Sequence, residues 1–172
     1  EGSIIAYIAY FGFPSERIML LPIIANPNTG TIHGVAILSK FPIINSGYIN
    51  FTNSSNSGIF SDIEYRGKKA RIYNLHLESL RIDLQDTLIT KVNSERLQLK
   101  FKQVFKKQLE QIKQFQEIDK ENNYPSIICT DLNNSQFSKI YRSLRKNHLD
   151  TFVEAGSISI PLGKAADFDC IK

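Results

Sequence analysis

Between residues 70 and 130 the hydrophobic pattern changes period twice, and few folds accommodate that change. Ala70 to Leu77 (Ala-Arg-Ile-Tyr-Asn-Leu-His-Leu) alternates. It reads as a strand with Ile72, Asn74 and His76 on one face and Tyr73, Leu75 and Leu77 on the other. From about Asn93 to Ile118 the period becomes helical: Leu97, Phe101, Val104, Phe105, Leu109, Ile112 and Phe115 recur on one stripe. Ser94 is a candidate cap for this helix. Its outer face carries Lys100, Lys102, Lys106, Lys107 and Lys113, and Asn122-Asn-Tyr-Pro125 ends it. Ser126 to Thr130 is then a short apolar run of the buried-strand type, followed at once by the turn Asp131-Leu-Asn-Asn. Ser135 to Lys146 reads as a second helix with Phe137, Ile140, Tyr141 and Leu144 inward. Strand, long helix, strand, helix predicts an α/β layered sandwich.

The upstream half supports this reading. Ser3 to Tyr10 is apolar and open to either helix or strand. Asn26-Pro-Asn-Thr-Gly30 is a turn. Gly34-Val-Ala-Ile-Leu-Ser-Lys40 is an almost continuous apolar run, as a strand buried on both faces requires, and Pro42 stops it. Ile43 to Phe51 and Ile59 to Tyr65 read as further strands, separated by the Asn/Ser-rich loop Thr52 to Gly58. Arg66-Gly67-Lys68 is a hairpin connection. No repeat or low-complexity linker interrupts the chain, so residues 1–172 are expected to form a single domain.

Composition narrows the classes of function. A net charge of +4 suits an anionic partner such as a phosphate ester, nucleic acid or membrane surface, and equally a basic helix facing water. Cys129 and Cys170 lie in apolar runs and read as buried free thiols. With no CxxC or Cys/His cluster, neither a disulfide framework nor a zinc site is expected. No apolar stretch is long enough to span a bilayer, and no signal peptide opens the chain. The first residue is Glu1 rather than Met, so the compartment is left open.

Taken alone, each candidate residue has a bland reading. Asp131 and Asn133 leave the carboxyl end of a buried strand, where layered α/β proteins place their sites. A carboxylate and an amide oxygen so spaced are hard ligands for Mg²⁺ or Mn²⁺, but the same residues make an Asx turn and helix cap. His76 ends its strand and can stabilise charge on a phosphoryl oxygen, or be a satisfied core histidine. Glu78, two residues on, either orients that imidazole or is simply exposed.

Together, three ordered motifs say more. Gly34-Val-Ala-Ile-Leu-Ser-Lys-Phe-Pro42, Asn74-Leu-His-Leu-Glu-Ser79 and Ile127-Ile-Cys-Thr-Asp-Leu-Asn133, with a long helix between the last two, resemble the endonuclease/exonuclease/phosphatase superfamily. Its members share a glycine-led apolar strand ending in Ser-Lys/Arg, an Asn-x-His-Leu strand and a Gly-Asp-x-Asn turn. Ser138 to Tyr141 and Leu149-Asp-Thr-Phe-Val-Glu-Ala-Gly156 extend the likeness, which covers about residues 30 to 156.

The resemblance implies a deoxyribonuclease I-like fold: a four-layered α/β sandwich of two packed mixed sheets flanked by helices, incomplete in this chain. It implies Mg²⁺- or Mn²⁺-dependent hydrolysis of a phosphate ester in nucleic acid, phospholipid or sugar phosphate. By position, Asp131 matches the aspartate that orients or activates water. Asn133 matches the asparagine that holds the phosphate, and His76 the histidine that stabilises the transition state. Glu1 stands where a metal-binding glutamate is expected, beside Asp131 as a second ligand. Asp169, in Asp167-Phe-Asp-Cys-Ile171, matches an aspartate that contacts the site, although the pattern's arginine is Asp167 here and its aromatic is Cys170. Thr130 replaces the glycine before the aspartate. The family's first strand and its closing Ser-Asp-His segment are expected to lie outside residues 1–172. The alternatives are a non-catalytic or truncated relic that binds phosphate, and a nucleic-acid module using the lysine-rich helix. No protein partner is implied, and a monomer is expected.

Overall fold

The computed structural model describes residues 4–11, 17–25, 32–39, 41–80, 91–150, 153 and 169–171. Among these residues, eight strands and two helices follow in chain order: β1 (Ile4–Phe11), β2 (Arg17–Ala25), β3 (Ile32–Ser39), β4 (Ile43–Asn50), β5 (Ser57–Tyr65), β6 (Lys68–His76), α1 (Lys91–Lys120), β7 (Ser126–Asp131), α2 (Lys139–Arg145) and β8 (Asp169–Ile171).

They form two mixed sheets. The first has three strands in the order β1-β3-β2, with β1 parallel and β2 antiparallel to β3. The central position of β3 explains its continuous apolar run: Val35, Ala36 and Ile37 are all buried, so both faces are covered. The second sheet has five strands, β4-β5-β6-β7-β8. Its pairs are antiparallel except for β6 and β7, which run parallel because α1 lies between them in the chain.

The hairpin joining β5 to β6 turns at Arg66 and Gly67, with φ of 50° and 75°. Two positive φ values are what a type I′ turn needs, and glycine supplies one without strain.

Side-chain alternation on β6 divides the core. Ile72 packs with Val35, Ile37, Ile59, Ile63 and Cys129 in the layer between the sheets. Tyr73, Leu75 and Leu77 face the other way, against Ile112 and Phe115 of α1 and Ile140, Tyr141 and Leu144 of α2. The Tyr73 and Phe115 rings meet edge-to-face at 4.9 Å. The described residues therefore supply three layers: sheet, sheet and helices. Among them, no helix is long and apolar enough to cross a membrane.

Four expectations are corrected. The long helix begins at Lys91, so Ser94 is inside it rather than its cap. The second helix begins at Lys139, where the Ser138 hydroxyl accepts the Tyr141 N–H. Residues 135–138 form a turn instead, closed by Ser138 N–H to the Ser135 carbonyl at 3.0 Å. Phe137 therefore points outward, 77% exposed. Phe105 is 40% exposed, packed on Phe101 at the helix surface rather than in the core.

At the amino-terminal end of β6, Arg71 makes a bidentate pair with Asp62 at 2.6 and 2.8 Å. Asn45 donates a further bond to that carboxylate at 3.0 Å, and the guanidinium covers the Phe60 ring. Burial disfavours the charged Asp62, but the Arg71 and Asn45 hydrogen bonds and the Arg71 charge outweigh it and hold the carboxyl below its ordinary 3.8. Folding thus favours the ionised form. The pair's contribution is present above the ordinary value and is lost as pH falls through the folded pKa. Urea unfolding between pH 7 and pH 2 should show stability dropping below about pH 4. Asp62→Asn should flatten that drop and lower stability at pH 7 by about 3 kcal/mol, because Arg71 loses its buried partner.

Candidate functional site

Parallel strands end on the same side of a sheet, and β6 and β7 end together. Their register sets Asn74 beside Cys129, Leu75 beside Thr130 and His76 beside Asp131. His76 and Asp131 are each the last residue of their strand, so their backbones sit at the usual strand spacing of roughly 5 Å. The ladder runs one bond further: Leu77 N–H donates to the Asp131 carbonyl at 3.1 Å. By alternation, His76 follows Ile72 and Asn74, and Asp131 follows Cys129. Both therefore stand at the rim of the layer between the sheets. Both are half-buried, open enough to meet a ligand. Asn74 is buried just below and donates to the Ala36 carbonyl of β3 at 2.9 Å, which fastens one sheet to the other under the rim.

The turn after β7 is an Asx turn. Asp131 Oδ1 accepts the Asn133 N–H at 3.0 Å, and Asn133 adopts φ of 48°, a left-handed conformation that asparagine tolerates. The Asn133 amide turns its Nδ2 inward to the Leu77 carbonyl at 3.1 Å. Asn56 donates to the same carbonyl at 2.6 Å. Leu77 thus binds three segments: the end of β7, the Asx turn and the loop before β5. Oδ1 of Asp131 is held by the turn and one N–H of the Asn133 Nδ2 by Leu77; among the described residues no bond is made by the Oδ2 of Asp131 or the Oδ1 of Asn133.

A second tier of polar groups supports the loops. Glu78 accepts the Ser54 hydroxyl at 2.7 Å and faces Lys107 at 3.6 Å, so its carboxylate braces the loop before β5 and the helix. Gln111 carries the Glu78 N–H on its Oε1 at 3.0 Å and donates to Ser54 at 3.1 Å. Gln108 donates to the carbonyls of Glu78 and Leu132 at 2.7 and 3.1 Å, and accepts from Asn134 at 2.8 Å. Sequence reasoning passed over Ser54, Asn56, Gln108 and Gln111. The available signal was polar residues at 108 and 111 on the stripe that the helical period assigns to the core.

The structure brings together His76, Asp131 and Asn133. Asp169 lies next to them by backbone, paired with Thr130 one residue before Asp131. Glu1 lies outside the described residues. Among the described residues no three of His, Cys, Asp and Glu gather in one cluster. One carboxylate oxygen and one amide oxygen nevertheless fit Mg²⁺ or Mn²⁺ as part of a shell, since Mg²⁺ is commonly held by one or two carboxylates with waters and substrate phosphate completing it.

Solved structures share this α/β sandwich. The catalytic domain of human nocturnin, solved with a bound sulfate anion, matches at a TM-score of 0.55 and 15% identity over 82% of this chain. An endonuclease/exonuclease/phosphatase family protein of Bacteroides thetaiotaomicron matches at 0.53 and 16% over 79%. A mannosyl-6-phosphatase of the same organism matches at 0.52 and 14% over 80%. The fold is the one these three structures share. The chain spans about half the length of these structures, 52%, 48% and 51% respectively. No family model and no curated protein matches the sequence.

Thr130, which stands where the superfamily pattern has glycine, buries its hydroxyl with no hydrogen-bond partner among the described residues. An unsatisfied buried hydroxyl is destabilising, and valine has the same shape without it. Thr130→Val should therefore raise stability by about 1 kcal/mol, read as a higher thermal midpoint. An unchanged or lower midpoint would show that the hydroxyl has a partner.

Proposed function

We propose that this protein hydrolyses a phosphate ester with the help of Mg²⁺ or Mn²⁺, using the rim formed by β6 and β7. The observation that carries the reading is the register pairing of His76 with Asp131, with Asn133 folded back beside them. The fold shared with a mannosyl-6-phosphatase and with a sulfate-bound nocturnin domain supports it.

The roles follow from the chemistry of each group. Asp131 would orient an attacking water or take up its proton. His76, beside it, would donate a hydrogen bond to an equatorial phosphoryl oxygen and offset charge that develops there. Asn133 would hold the phosphoryl group in line with the water by donating the second N–H of its Nδ2, the first being spent on the Leu77 carbonyl. A divalent cation, when bound by Asp131 with Glu1 as the expected second ligand, supplies positive charge for the phosphoryl oxygens and the leaving group. Asp169 would approach this cluster from β8.

The lysine face of α1 favours a nucleic-acid module less. Exposed Glu95, Glu110 and Glu117 are interspersed with the exposed lysines, so the surface is of mixed sign rather than a single basic stripe. The substrate class is a phosphate ester that fits the rim; nucleic acid, phospholipid and sugar phosphate share the group these residues would contact.

Asp131→Ala and His76→Ala should each lower metal-dependent hydrolysis of bis-p-nitrophenyl phosphate by about 100-fold or more, with the fold intact by circular dichroism. Chelation should abolish the wild-type rate and Mn²⁺ restore it. A folded, inactive wild-type chain would favour the phosphate-binding relic, and equal rates in wild type and Asp131→Ala would contradict this placement of the site.

A further inference from the structure

Resting on that reading of the site, we propose that Gln108 is a positioning residue that ties the two loops following His76 and Asp131 into one unit. Gln108 is fully buried, an unusual place for an amide on the apolar stripe of an amphipathic helix. Its bonds account for the burial. Nε2 donates to the Glu78 carbonyl at 2.7 Å, two residues after His76. It also donates to the Leu132 carbonyl at 3.1 Å, one residue after Asp131. Oε1 accepts the Asn134 side-chain N–H at 2.8 Å, one residue after Asn133. One side chain thus bonds the loop after β6 and both sides of the Asx turn after β7.

Those carbonyls lie beyond the last ladder bond, where the sheet no longer satisfies the backbone. Among the described residues, the two loops without Gln108 would keep the Leu77 links, the bonds of Gln111 to Glu78 and Ser54, and those of the Glu78 carboxylate to Ser54 and Lys107. None of these bonds ties the Asx turn to α1, which otherwise meets it through the apolar packing of Leu132. Among the described residues Gln108 makes no hydrogen bond to a candidate catalytic side chain; it reaches Asn133 only at its backbone carbonyl, at 3.4 Å. Its effect passes through the backbone, by setting the relative position of two groups that must face one phosphoryl centre. Displacements of this kind from a distant change lower rates by about 10- to 100-fold.

The test uses Gln108→Met, which keeps the length and removes every bond, in the whole chain with bis-p-nitrophenyl phosphate and Mg²⁺. The expected result is a kcat about 10- to 100-fold lower with KM within about twofold. Amide hydrogen exchange should accelerate at residues 77–79 and 132–134 and stay unchanged in β5 and in residues 112–120. If Gln108→Met fails to fold, Asn134→Ala removes one of the bonds from the outside and should shift both readouts in the same direction by less. Wild-type kcat in a folded variant overturns the proposal, as does unchanged exchange in the two loops. Exchange faster throughout the molecule also overturns it, because that marks a general loss of stability. Asp131→Ala separates this from the reading of the site: if it hydrolyses as fast as wild type, the site is misplaced, and exchange in Gln108→Met still decides whether the loops are tied.

Discussion

The parallel pairing of β6 with β7 is the constraint on which the rest depends. Two strands running the same way bring their carboxyl ends to one edge, and this register puts His76 level with Asp131. A parallel pair cannot be closed by a tight turn, so the chain must cross over, and α1 is that crossing. The helix that makes the pairing possible also returns over the sheet, where Ile112 and Phe115 cover Tyr73 and Leu75 and where Gln108 and Gln111 meet the loops. One topological requirement thus accounts for the core and for the support of the rim.

The two ends of β6 use polar groups differently. At its start, Arg71 and Asp62 satisfy each other, with Asn45 completing the carboxylate and Phe60 under the guanidinium. That cluster is closed and structural. At its end the backbone and amide groups hold the loops: Asp131 Oδ1 closes the Asx turn and Asn133 Nδ2 bonds the Leu77 carbonyl. The proposed site rests on that frame, since in-line displacement requires groups held in fixed positions.

Much of this was legible in the residues because it is periodic. The switch from alternation at Ala70–Leu77 to helical spacing after Asn93 located β6 and α1 to within a few residues, and the continuous run at Gly34 marked β3 as buried on both faces. Ordered motifs then identified the fold, which the solved structures share. What was not legible depends on contacts between segments distant in the chain. Phe137 looked inward by spacing, yet the helix starts at Lys139, capped by Ser138, whose hydroxyl accepts the Tyr141 N–H. The loop from Thr52 to Gly58 looked featureless, yet Ser54 and Asn56 bond to Glu78 and the Leu77 carbonyl. Gln108 and Gln111 broke the apolar stripe of α1 without showing what they would meet. Hydrophobic period reports which face is buried; it carries no information on which backbone groups a buried amide must satisfy.

The most direct measurement is paramagnetic broadening of amide resonances by Mn²⁺ in the isotope-labelled protein, with inorganic phosphate present. The account predicts strongest broadening at residues 76–78 and 131–134, with the exposed face of α1 and the Asp62–Arg71 end of the sheet unaffected. Broadening centred on the α1 surface, or none at the ends of β6 and β7, would contradict the claim that these two strand ends form the site.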